Sequence, residues 1–288
     1  MSKKSLVLAP SLACLICLGA GAIPADFRLD FLKSQVAFEP AADPDAARSL
    51  PPDPASLFDG PLEALERARW LRVEMTHRTQ IQGKLIDKFI ESKIRVVRGP
   101  KGLFRHESET QLGNRFSRTL AVSDGMVVAF SKQFADRPPD VSGQRLPKEN
   151  ASQCADLMKQ HGFDSPQALF QMIRKGLKDG KAEAGRWGSI EVFRVAGAID
   201  VAKVGGNAPG THCHVYFRRD DSWPFRVEWF EKTSRTTRTL AIIELTGLAV
   251  DVPLTEEQCK ETFTFPRDGA PTRLAAKQTP TQAQGRTQ

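Results

Sequence analysis

The stretch "THCHVYFRRDDSWPFRVEWFEK", residues 211–232, decides how the rest of the chain is read. Its first run alternates. Cys213, Val215 and Phe217 fall on one side, and His212, His214, Tyr216 and Arg218 on the other. Its second run sets Phe225, Val227 and Trp229 against Arg226, Glu228 and Phe230. The intervening "DDSW" is hairpin-like. Period-two alternation across a short turn predicts two antiparallel strands, each buried on one face. Cys213 then points inward, and the two histidines lie on the polar face toward solvent.

That orientation weighs against a metal site. His212 and His214 share a face, but a zinc site needs a third protein ligand. His77 is in phase with Leu71, Val73 and Met75 and is expected to face the core. His106 lies on a different strand, and His161 ends a predicted helix. Surface histidines on a strand are the simpler reading; a zinc hydrolase built on His212 and His214 is the rival. Cys213 reads as a small buried residue, or as half of a disulfide with Cys154 or Cys259.

Working outward, the same period recurs. "WLRVEMTHRT" alternates Leu71, Val73 and Met75 with Arg72, Glu74 and Thr76. "KLIDKFIESKIRVVRG" and "LFRHES" follow as strands, then "RFSRTLAVSDGMVVAFS" as a hairpin turning at Ser123-Asp124-Gly125. A short helix precedes them, with Asp59 as its cap and Pro61 in its first turn. Two helices are expected in the middle, capped by Asn150 and Asp164. The second runs over 164–179 with Leu169, Phe170, Ile173 and Leu177 on one stripe and Gly180 as its stop. "SIEVFRVAG", the quoted hairpin and "TLAIIELTGLAVD" return to strands, and "ETFTFP" is expected to close the body as another.

The chain has 288 residues, 40% of them hydrophobic and 26% charged. A net charge of +7, scattered and without a Lys/Arg block, excludes nucleic acid as a partner class. Lys3 and Lys4, the apolar "SLVLAPSLACLICL" and the small residues "AGA" at 20–22 read as a secretory signal over 1–22. Lipid anchoring is disfavoured, since "SLAC" lacks the apolar residue three before its Cys and apolar sequence continues after it. Residues 23–58 read as a Pro/Ala/Asp-rich linker, 59–270 as one domain and 271–288 as a disordered tail. Three cysteines then remain for an oxidising compartment. No Gly-rich phosphate loop, H-E-x-x-H or G-x-S-x-G occurs, so neither a cofactor nor a catalytic residue is implied. Glu107, Glu109, Glu228 and Glu231 read as solvated strand residues.

The aromatic content is lopsided: 17 Phe and 4 Trp against one Tyr. These rings either fill a core or line a cavity able to accept an acyl chain. The element order, the Asp124-Gly125 turn followed by Phe130, the phrase from Asp221 to Glu228, and the closing Phe263, Phe265, Pro266 and Gly269 resemble the LolA-like family of outer-membrane lipoprotein-sorting proteins. The resemblance covers residues 60–270.

It implies a mainly β (α+β) fold, an unclosed antiparallel half-barrel with helices covering its concave face. It implies a non-enzymatic periplasmic carrier that holds lipid or lipoprotein acyl chains, with Phe104, Phe130, Leu169, Phe170, Ile173, Phe217 and Trp229 as ligand-binding candidates. Helix 164–179 would be the lid or plug, unless it is packed permanently into the half-barrel. Release would need a partner that competes for the chain or opens the lid, such as an envelope membrane protein. An envelope-stress sensor on the same fold is the alternative.

Overall fold

In the computed structural model of the chain, residues 37–41, 50–81, 88–112, 115–125, 127–135, 137–145, 166–204, 208–234 and 236–268 are described. The expected signal, Cys154, His161, the caps at Asn150 and Asp164, the first central helix and the tail from 271 lie outside them.

A short strand β1 (Phe38–Pro40) and a 3-10 turn (Pro54–Phe58) lead into α1 (Asp59–Arg67). The strands β2 (Leu71–Ile81), β3 (Lys88–Arg98), β4 (Leu103–Leu112), β5 (Arg115–Asp124), β6 (Val127–Phe134) and β7 (Asp140–Arg145) follow. Then α2 (Pro166–Gly176) runs straight into β8 (Leu177–Trp187), followed by β9 (Ile190–Ile199), β10 (His212–Arg218), β11 (Pro224–Lys232) and β12 (Thr237–Val250). The last element is α3 (Glu256–Phe263).

Among the described residues, all twelve strands join one antiparallel sheet, ordered β1-β8-β9-β10-β11-β12-β2-β3-β4-β5-β6-β7. The order does not return on itself, so the sheet is open, as the expected half-barrel requires. The alternation in the quoted hairpin holds. Cys213, Val215 and Phe217 sit at 0% exposure on the inner face, level with Trp229 and Val227 of β11. The 3-10 turn, α1 and α2 lie over that face and contribute Phe58, Leu65, Phe170 and Ile173 to its buried cluster. Arg98, inward-facing at the end of β3, donates to the carbonyls of Leu65 and Ala68 and so caps the end of α1.

Several expectations are corrected. "ETFTFP" is not a strand: residues 256–263 are helical because Thr255 and Gln258 form a capping box, each side chain bonded to the other's backbone N–H. This helix, α3, lies on the outer face, against β4 and β5, where Arg105 donates to the Thr262 carbonyl. The second central helix ends at Gly176 rather than Gly180, and Leu177 already belongs to β8. Asp59 lies inside α1, whose N-cap is Phe58; the side-chain cap belongs to the preceding 3-10 turn, where Asp53 accepts from the Ala55 N–H. A bulge between Tyr216 and Phe217 puts Pro224 opposite Phe217, so Phe225 does not take the inward position, and its ring lies 6.4 Å from that of Tyr216. Cys213 and Cys259 are both free thiols, so they form no disulfide with each other.

The stretch read as a linker contributes to the fold twice. Phe58 is fully buried, and β1 pairs with β8 through Phe38↔Trp187, Glu39↔Arg186 and Pro40↔Gly185. Gly185 permits that approach: a Cβ there would stand 2.4 Å from the Glu39 carbonyl oxygen and 2.5 Å from the Phe38 ring. Gly185→Val is expected to detach β1, at a cost of roughly 1–2 kcal/mol for the lost ladder bonds. Amide hydrogen exchange checks it: residues 38–41 should lose protection while β10 keeps its own. Unchanged protection at 38–41 would show that the contact yields.

Candidate functional site

The inner face changes character along the sheet. One cross-strand row reads Val215, Val227 and Ile243 on β10, β11 and β12, then His77, Ser92, Thr110 and Ser117 on β2 to β5. The apolar half lies under α2. The other half is hydroxylic. Ser92 and Thr110 hydrogen-bond at 2.8 Å, Ser108 and Thr119 at 2.5 Å, and Thr79 lies 3.0 Å from His77 Nε2. Burial holds both inward histidines neutral, lowering His77 and pushing His106 down to about 3. An amphiphile laid along such a row meets hydrocarbon at one end and hydrogen-bonding groups at the other.

Of the residues singled out from sequence, Phe170, Ile173, Phe217 and Trp229 come together in one buried cluster, with Leu169 and Phe104 packed against it. Phe130 also faces inward, level with Ala121 of β5, but stands apart from that cluster and is half-buried. Phe58 is the residue the sequence reading missed. Its ring meets Phe217 edge-on at 5.0 Å and lies 6.5 Å from Phe170. The available signal was the apolar pair Leu57–Phe58 directly ahead of a helix start.

α2 carries the central part of this cover. Phe170 and Ile173 are fully buried beneath it. At its outer side, Arg174 pairs with Asp59 of α1 at 2.7 Å, with about half of each side chain exposed (49% and 53%). A pair so exposed contributes about 0–1 kcal/mol. The helix passes into β8 at Gly176, where a Cβ would stand 2.7 Å from Val204. That end is pinned, so motion of α2 would pivot there.

The outer face carries a lattice of paired charges, with Glu107 and Glu228 buried within it. Tyr216 donates to Glu228 at 2.9 Å, Arg226 bridges Glu228 and Glu244, and Arg78 bridges Glu244 and Glu91. Burial pushes the Glu228 carboxyl up, but nearby His214, the charge and hydrogen bond of Arg226 and the Tyr216 hydroxyl more than offset it and hold it below the usual range. Glu107, 2% exposed, is likewise buried against Arg105 and Arg95. His214 faces Glu228 at 3.8 Å and the Phe230 ring at 4.6 Å, and no group of three metal-capable side chains forms among the described residues. The Cys213 thiol, pushed up to about 12 by burial, is neutral and unsuited to nucleophilic attack.

No family model and no curated protein matches the chain. Among solved structures it is similar to LprF from Mycobacterium bovis, with a TM-score of 0.40 and 12% identity over 75% of this chain and 96% of that one. It is similar to the lipoprotein LppX of Mycobacterium tuberculosis, with a TM-score of 0.37 and 14% identity over 70% and 98%. An outer membrane lipoprotein-sorting protein domain from Vibrio parahaemolyticus gives a TM-score of 0.26 and 9% identity over 72% and 96%. These are loose likenesses of shape, and they carry neither a ligand nor a partner across to this chain.

The buried imidazole of His106 gives a pH signature. Its ordinary value of 6.5 applies once the chain unfolds, and about 3 applies while it is folded. Between those limits the unfolded chain binds the extra proton, so stability falls as pH drops from 6.5 toward 3, by up to about 1.4 kcal/mol per pH unit. Urea unfolding at stepped pH should show this slope, and His106→Leu should flatten it. An equal slope in both proteins would remove His106 from the account.

Proposed function

We propose that the chain is an exported, non-enzymatic binding protein that carries lipid or lipoprotein acyl chains on its inner face. The observation that carries this reading is the way α2 covers the apolar strip. Phe170 and Ile173 lie fully buried on an apolar strip that includes Phe217 and Trp229, on a helix held outside by an exposed ion pair. An acyl chain entering there takes the place of those two side chains. Their burial is worth about 1.5–3 kcal/mol each, whereas an acyl chain of about fourteen methylenes gains about 11 kcal/mol at about 0.8 per methylene. The ligand therefore outweighs the plug, even after part of its gain is lost to immobilisation. Among the described residues, no helix is long and apolar enough to cross a membrane. Delivery would then fall to an envelope membrane protein that captures the chain as α2 returns.

Native mass spectrometry of protein purified from its own envelope tests the reading. A co-purifying lipid or acyl peptide is expected; stoichiometric zinc without lipid would sink it. Ile173→Ala separates a plug from a permanent core helix. It is expected to destabilise the free protein by about 2–4 kcal/mol and yet tighten acyl binding, because less cover has to be displaced. Destabilisation with no gain in affinity would mean that α2 never leaves.

A further inference from the structure

Trp229 is fully buried, and its indole Nε1–H has no hydrogen-bond partner among the described residues. A buried donor left unpaired is costly, and buried polar groups in folded proteins are ordinarily satisfied. Its surroundings explain the vacancy. The residues level with it across the sheet are Cys213 on β10 and Ala241 on β12, and neither side chain offers an oxygen. Beyond Ala241 the same row reaches Thr79 on β2, whose hydroxyl is paired with His77. Trp229 and Thr79 are thus two strand spacings apart, about 10 Å. The unpaired donor sits where the apolar half of the inner face meets the first polar groups.

We propose that Trp229 Nε1–H reads an oxygen of the ligand, so that the site takes acyl esters or acids in preference to bare hydrocarbon. The inference rests on the carrier reading and sharpens it. The hydrocarbon tail lies toward Phe217 and Phe58, the carbonyl oxygen accepts from Trp229, and the head continues past Thr79 and His77. Apolar burial supplies affinity without distinguishing an alkane from an acyl group. One directed N–H in an otherwise apolar strip, beside only the weak S–H of Cys213, supplies that distinction, and Trp229 becomes a specificity-determining residue.

The full chain and Trp229→Phe are compared by displacement of diphenylhexatriene, using a fatty-acid methyl ester and an alkane of matching length. The wild-type ester-to-alkane affinity ratio is expected to fall about tenfold in Trp229→Phe, over and above the contact area that the smaller ring takes from both ligands alike. An unchanged ratio overturns the inference and leaves the carrier reading standing. Displacement by neither ligand overturns both. Should Trp229→Phe not fold, NMR of the wild type decides. With four tryptophans in the chain, the Trp229 indole proton can be assigned. It should move downfield with the ester and not with the alkane; equal response to the two overturns the inference.

Discussion

The pairing of β2 with β12 is the contact on which everything else depends. It joins residues 71–81 to residues 237–250, and it is the junction between the strands before α2 and those after it. The seam is fixed from several directions. Asp251 accepts from the Arg69 and Trp70 N–H groups and donates its own N–H to the Trp70 carbonyl. A bulge between Leu245 and Gly247 resets the register so that Leu248 and Val250 still face inward opposite Val73 and Leu71. On the outer face, Arg78 reaches from β2 to Glu244 on β12 and to Glu91 on β3. Closing so long a loop is slow and entropically costly, so the seam has to be specified by more than apolar pattern.

From the seam, the two faces diverge in how they stay dry. The inner face excludes water with Phe, Val, Ile and the cover of α1 and α2. The outer face does so by pairing charge with charge from Glu91 through Arg78, Glu244 and Arg226 to Glu228. Buried carboxylates are tolerable there only because each lies against guanidinium or hydroxyl donors. A molecule that opened one face would gain from rigidity on the other. The polar lattice ties β3, β2, β12, β11 and β10 together independently of whatever occupies the inner face.

Much of this was legible from local pattern. The alternation in residues 212–230 placed Cys213, Val215, Phe217, Val227 and Trp229 inward, and the Asp124-Gly125 turn set the β5–β6 hairpin; Asp124 indeed accepts from the Val127 N–H. What failed was non-local or masked by competing signals. β8, "LKDGKAEAGRW", carries two glycines and few apolar residues, and becomes a strand because β9 and β1 pair with it. α3 was hidden by its β-prone ending, although Thr255 and Gln258 stood at capping-box spacing. Alternation can place Trp229 inside but cannot reveal that its N–H lacks a partner, because that depends on neighbours from β10 and β12. The burial of Glu228 depends in the same way on Arg226 and its neighbours across the sheet.

An open sheet leaves an unpaired strand at each end of its order, and exposed edges recruit other chains into intermolecular β-structure. β1 addresses one end with three residues. Phe38 lies beneath the Arg194 guanidinium at 4.0 Å and 6.1 Å from the Tyr216 ring, so the strand is held by its side chain as well as its backbone. At the other end, β7 is short and begins at Asp140, with Gly143 in its middle. Loss of the Phe38 strand would therefore register first as self-association and failing solubility, with the inner face of the individual molecule left intact.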